Sequence, residues 1–162
     1  MTTLTANMQI DSGPRLLLVC RAAIEAAASL GVNYFSAVGG LTPGADPLAV
    51  GIAIVTDCQW FSVRKEPKHH GLQQQIEGCR LRPGTRVLLV DDVVTTGGSL
   101  LKVYEHVIAT GASVVGVVAL IDRGEFGRQL FAEYDVPYAA LVTYRDLRIE
   151  PARGSEFAAS AN

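Results

Sequence analysis

Val87-Leu88-Leu89-Val90-Asp91-Asp92-Val93-Val94-Thr95-Thr96-Gly97-Gly98-Ser99 decides how this chain folds and what it can hold. Val87 to Val90 form an apolar run without polar alternation, the pattern of a strand buried on both faces in a parallel sheet. Asp91 and Asp92 stand where that strand is expected to end. The small hydroxyl-rich turn Thr95 to Ser99 follows, and then a helix from Leu100 to Thr110, stopped by Gly111. In an open α/β sheet, ligands bind beyond the carboxyl ends of the strands. A glycine turn feeding a helix N-terminus offers backbone N–H groups and the positive end of the helix dipole to a phosphate. The hydroxyls of Thr95, Thr96 and Ser99 add donors. The acid pair suits sugar hydroxyls or a magnesium ion held through water. No Lys follows the glycines, which excludes a Walker A loop. The stretch therefore points to a phosphorylated sugar as its ligand.

Working outward, strand-like and helix-like segments alternate as a parallel α/β sheet requires. Asp11-Ser12 with Pro14 predicts a capped helix from Arg15 to Leu30, ended by Gly31. Asn33 to Val38 reads as a strand, Gly39 to Gly44 as a turn, and Ala45 to Ala53 as a helix. Gln59 to Val63 is strand-like, and Arg64 to Gly78 reads as a long loop, a feature that in a compact domain is more often functional than accidental. Beyond the central stretch come a strand over Ser113 to Ile121, a helix over Glu125 to Tyr134 and a last strand over Tyr138 to Val142. The expected architecture is a doubly wound α/β domain over residues 1–151, with about five parallel strands flanked by helices. Residues 152–162 read as a flexible tail.

Composition narrows the function classes. Hydrophobic residues make up 49% of the 162, which excludes a disordered chain. A net charge of −2 gives no global field for nucleic acid or an anionic membrane, so a polyanionic substrate must be met by local positive charge. Cys20, Cys58 and Cys79 form no CxxC pair and read as reduced thiols of a cytoplasmic protein, with no zinc site. No secretory leader and no apolar run of membrane length is visible. Local positive charge is concentrated in Arg64-Lys65-Glu66-Pro67-Lys68-His69-His70-Gly71, where like charges crowd without a stabilising reason.

Val87 to Ser99 resembles the phosphoribosyl-diphosphate signature of type I phosphoribosyltransferases. Val63 to Gly71 is similar to the mobile catalytic loop of orotate phosphoribosyltransferases, which carries an Arg-Lys-x-x-Lys-x-His-Gly pattern. Gly39 to Ala49 looks like the family's pyrophosphate loop, and Asp122-Arg123 follows a strand as the family's base-recognising Arg does. The resemblance spans about Gly31 to Leu147.

The resemblance implies an α/β phosphoribosyltransferase fold and a magnesium-dependent enzyme making orotidine 5'-phosphate and diphosphate from orotate and phosphoribosyl diphosphate. It implies that Asp91 and Asp92 hold the ribose hydroxyls, and that Thr95, Thr96, Gly97, Gly98 and Ser99, next to Val93 and Val94, bind the 5-phosphate. Arg64, Lys65, Lys68 and His70 would meet the diphosphate together with Thr42 and Pro43, and Thr95 and Arg123 would touch orotate. Lys68, His70, Asp91 and Asp92 are the catalytic candidates, with Lys68 expected to have the largest effect on rate. Magnesium would be held by substrate and water rather than directly by protein ligands. A homodimer with shared active sites is expected, and neither nucleic acid nor membrane is an expected partner. Two alternatives stay open: a phosphoribosyltransferase for another nucleobase, and a non-catalytic regulator that binds phosphoribosyl diphosphate. The family's N-terminal hood over the base is expected to be shortened or missing, because nothing from Met1 to Asp11 resembles it. Pro43 stands where many members carry Lys. His69 and His106 are read as solvated and structural, and Trp60 and Phe61 as packing under the loop.

Overall fold

The computed structural model describes residues 10–66 and 75–152. A six-stranded sheet runs in the order β3-β2-β1-β4-β5-β6. Its strands are β1 (Ala37–Leu41), β2 (Gln59–Val63), β3 (Ile76–Gly78), β4 (Arg86–Val94), β5 (Ser113–Asp122) and β6 (Tyr138–Thr143). Helices α1 (Gly13–Ser29) and α2 (Asp46–Thr56) cover one face, while α3 (Gly98–Ile108) and α4 (Phe126–Ala132) cover the other. β1, β2, β4, β5 and β6 are mutually parallel, the five expected from the sequence. β3 lies inside the segment read as a loop, and it pairs antiparallel with the outer edge of β2. Three residues without alternation give no periodic signal, so that strand exists only by virtue of its long-range partner.

The core follows from the apolar runs. Val87, Leu88, Leu89 and Val90 are fully buried, Val87 and Leu89 under α3 and α4, Leu88 and Val90 under α1 and α2. Each such side chain contributes roughly 1.5–3 kcal/mol of transfer free energy. α1 begins with Pro14 in its first turn, as expected. Ser12 occupies the cap position but makes no side-chain cap bond, and Asp11 instead pairs with Arg15 at 2.8 Å on the exposed surface. The helix ends where Gly31 takes a positive φ of 84°.

β1 is displaced from the expected Asn33–Val38, and Gly39 and Gly40 are strand residues rather than a turn. A Cβ at Gly39 would lie 2.4 Å from the Phe61 carbonyl oxygen, and one at Gly40 only 2.1 Å from that of Val90. The glycines therefore serve close approach of neighbouring backbones, a role glycine often has inside strands. Phe61 is fully buried and Trp60 is 41% exposed; most of the loop under which both were expected to pack lies outside the described residues. The three cysteines are free thiols, as expected. Among the described residues no helix is long and apolar enough to cross a membrane.

Candidate active site

The chain winds to one side of β1 through α2 and β2, and to the other through β4, α3 and β5. The crevice between the carboxyl ends of β1 and β4 is thus a topological switch point, where open α/β sheets bind their ligands. Each parallel strand around it delivers sequence-predicted residues. β1 leads into Thr42 and Pro43, β2 into Arg64 and Lys65, β4 carries Asp91 and Asp92 and leads into Thr95 to Ser99, and β5 leads into Arg123. Lys68 and His70, like His69, lie outside the described residues.

β4 runs further than expected, so the two acids are strand residues rather than the start of a loop. Asp91 is buried and its Oδ1 accepts the Asp92 N–H at 3.0 Å. Asp92 Oδ1 accepts the Val93 N–H at 2.9 Å. Burial, and then the neighbouring Asp92 charge, push the Asp91 carboxyl up to about 7, partly opposed by the Lys65 ammonium. Lys65 therefore acts electrostatically on Asp91, as a residue at the same site should. Among the described residues no cluster of three or more His, Cys, Asp or Glu side chains could hold a metal. The two carboxylates offer hard oxygen acceptors beside which a magnesium ion held by substrate and water would fit.

α3 starts directly behind the acids. Gly97 occupies its cap position with φ 80°, and no side chain caps the first turn, which contains no acidic residue. The first-turn amides and the helix dipole thus face the crevice with no side-chain cap or local anion of their own. Val94 is buried in the core, and its carbonyl accepts the Arg123 N–H at 2.9 Å, so it serves as scaffold and Val93 is only partly buried beside it. That same bond places Arg123 next to Thr95. Arg123 Nε is buried with no hydrogen-bond partner among the described residues, a donor suited to a ligand acceptor.

Two residues at the site were given no role from the sequence. Asp46, in the first turn of α2, accepts the Thr42 hydroxyl at 2.5 Å and so orients it. Lys102 lines a cleft of about 470 Å³ with Ser99, Arg64 and Lys65. Its signal was available, since three residues after Ser99 on a helix lies the same face. His106, read as structural, also lines that cleft; its Nδ1 lies 2.6 Å from the Lys102 carbonyl and its Nε2 contacts Gln75 Oε1. Arg64 pairs with Glu77 of β3 at 2.9 Å, which ties the carboxyl end of β2 to the edge strand. The N-terminal stretch, for which no hood was expected, reaches the site: Ile10 and Leu16 line a small cavity of about 130 Å³ with Gly44, Pro47, Asp92 and Leu120.

Gly44 sets the distance between the β1–α2 loop and the acid pair. A Cβ there would lie 2.7 Å from Asp92 Oδ1. Gly44→Ala is expected to displace the Asp92 carboxylate and weaken sugar-diphosphate binding about tenfold or more, with the melting temperature nearly unchanged. Calorimetry on both proteins checks this, and equal affinity would show that Asp92 takes no part in binding.

The phosphoribosyl transferase domain model matches residues 7–131. This chain belongs to the phosphoribosyl transferase domain family. Orotate phosphoribosyltransferase of Rhodopirellula baltica is 45% identical over 121 residues, covering 72% of this chain and 62% of that protein. The one from Pyrococcus abyssi is 37% identical over 138 residues, covering 85% of this chain and 75% of the relative. The crystal structure of Mycobacterium tuberculosis H37Rv orotate phosphoribosyltransferase in complex with 5-phospho-alpha-D-ribosyl 1-diphosphate superimposes with a TM-score of 0.72 at 30% identity. It covers 89% of this chain and 82% of that one. The chain spans about 62% of the length of the first curated relatives it matches.

Proposed function

We propose that this protein is an orotate phosphoribosyltransferase, transferring phosphoribosyl from phosphoribosyl diphosphate to orotate and releasing diphosphate. One observation carries the reading. Four parallel strands bring a hydroxyl loop, a cationic segment, an acid pair with an open helix N-terminus, and an arginine to one crevice.

In this reading Thr96 to Ser99 bind the 5-phosphate through backbone amides at the α3 N-terminus, assisted by Thr95. Asp91 and Asp92 accept the ribose hydroxyls. Arg64 and Lys65, with Lys68 and His70 from outside the described residues and Lys102 on α3, neutralise the departing diphosphate, and Thr42 and Pro43 border it. Arg123 donates to the orotate carboxylate or carbonyls. The bond from the anomeric carbon to diphosphate oxygen breaks as a ring nitrogen of the base attacks, so positive charge builds on the sugar and negative charge on the diphosphate. The chain's contribution is to hold both partners and to place opposite charges against each, which is electrostatic catalysis. Magnesium, when bound through substrate oxygens and water beside Asp91 and Asp92, would supply further neutralisation of the diphosphate.

We further propose a homodimer whose sites are shared. The exposed apolar side chains Leu18 of α1 and Ile54 of α2, at 70% and 77%, are ones that a second copy would cover.

The test is diphosphate release from phosphoribosyl diphosphate and magnesium with orotate, uracil, adenine, guanine and no base in parallel. Orotate alone is expected to drive release. Preference for another base, or no release with any, would contradict the assignment. Adenine belongs in the panel because the adenine phosphoribosyltransferase of Rhodothermus marinus shares the fold with a TM-score of 0.66 at 26% identity.

A further inference from the structure

Asp122 closes β5 and is 2% exposed, yet it carries no role in the reaction as described above. Both its oxygens are engaged. Oδ1 accepts the N–H groups of Gly124 at 3.0 Å and Glu125 at 2.9 Å. Oδ2 accepts the Tyr138 hydroxyl at 2.7 Å. Capping the turn into α4 needs only Oδ1. The bond to Tyr138 asks for a separate explanation, because it buries a carboxylate oxygen and a phenol together.

Tyr138 is held from every side. Its ring stacks on Phe131 with centroids 6.2 Å apart and planes 6° from parallel. α4 passes so close that a Cβ at Gly127 would lie 2.4 Å from the ring. Burial first, and then the bond to Asp122, push the phenol above its ordinary range, so it remains a donor at any working pH. The hydroxyl is thus a fixed point in the core, and Asp122 transmits it to the turn that follows.

Arg123 stands between Asp122 and the two turn residues it grips, Gly124 and Glu125. Its N–H donates to Val94 at 2.9 Å, its carbonyl accepts the Ala152 N–H at 2.6 Å, and its Nε is the buried donor without a partner among the described residues. We propose that Asp122 and Tyr138 are a positioning pair that locks the Arg123 backbone, and hence its guanidinium, in register with the nucleobase. This rests on the reading of Arg123 as the base-binding residue. Neither group touches substrate; both act through Arg123.

The experiment uses Tyr138→Phe, which keeps the ring and its packing while removing the hydroxyl. KM for orotate is expected to rise about 5- to 20-fold, with KM for phosphoribosyl diphosphate within about twofold of wild type. In an Arg123→Ala background the same substitution should leave KM for orotate unchanged, because the path it acts through is gone. Equal rises in both KM values, or multiplicative effects in the double variant, would overturn the proposal. A second readout is independent of turnover: the Nε–Hε NMR resonance of Arg123, assigned by its loss in Arg123→Ala. It should shift in Tyr138→Phe, and an unmoved resonance would equally overturn the proposal. If wild-type protein releases no diphosphate with orotate, the functional reading fails, while the resonance still decides whether the pair positions Arg123.

Discussion

Replacing Asp91 by asparagine is expected to stabilise the protein and disable it at once. The carboxyl is buried beside a second acid, which pushes it up to about 7 in the folded chain, well above its ordinary value of 3.8. The folded state therefore holds a proton that the unfolded state gives up. Stability from this group is intact below about pH 4 and falls as pH rises toward 7, after which the penalty is complete and constant. Holding the group ionised costs on the order of 2–4 kcal/mol above pH 7. Asparagine keeps the acceptor that Oδ1 offers the Asp92 N–H at 3.0 Å and removes the charge. Melting curves should lie closest for the two proteins below about pH 4, separate progressively as pH rises, and differ by about 5 °C or more at pH 8. Turnover should fall about 100-fold if Asp91 is the charged acceptor of the ribose hydroxyls proposed above. Loss of stability at pH 8 would refute the electrostatic account of this site, and normal turnover would remove Asp91 from it. Such opposition between stability and activity is what a strained binding site produces.

Gly97→Val is the second change expected to act strongly. The cap residue of α3 sits at φ 80° and ψ −6°, a region that a β-branched side chain adopts only with strain. A Cβ there would also lie 3.0 Å from Leu130 Cδ2. The first turn of α3 must shift, and with it the amides proposed to bind the 5-phosphate. Binding of phosphoribosyl diphosphate should weaken at least about 100-fold, while the fold survives with a loss of about 1–3 kcal/mol. Gly84→Val is the matched control. Gly84 has φ 89° with nothing within 4 Å, in the turn that precedes β4, away from the carboxyl ends. It should cost similar stability and leave binding intact. Equal binding in the Gly97 variant would show that the helix start does not hold the phosphate.

The parallel core was legible because buried parallel strands carry unbroken apolar runs, as Val87 to Val90 do, and the acid pair and hydroxyl turn kept their register with that run. What escaped were features written in tertiary approach rather than in local pattern. Gly39 and Gly40 look like chain breakers, and only the nearness of Phe61 and Val90 shows why a strand needs them. β3 depends on Arg64 N–H donating to Gln75 at 2.8 Å and on the Arg64–Glu77 ion pair, contacts across a long segment. Arg64 was legible as a cation at the site, but its pairing with the edge strand was not. Asp46 and Asp122 were hidden for a related reason. A single acid after a strand or at a helix start is common, and its meaning lies in what it grips: the Thr42 hydroxyl in one case, the Arg123 turn and Tyr138 in the other. Arg123 was legible only through its place after a strand in the family pattern, while its bond to Val94, which sets it beside Thr95, was not.

The central claim is that the crevice at the carboxyl ends of β1 and β4 binds phosphoribosyl diphosphate. Titration calorimetry of the full chain with phosphoribosyl diphosphate and magnesium tests it most directly. Saturable binding of about one molecule per chain in the micromolar range is expected, where each tenfold change is worth 1.4 kcal/mol. That binding should be lost in Gly97→Val and retained in Gly84→Val. Absence of saturable binding by the wild-type chain, or binding that survives Gly97→Val undiminished, would contradict it.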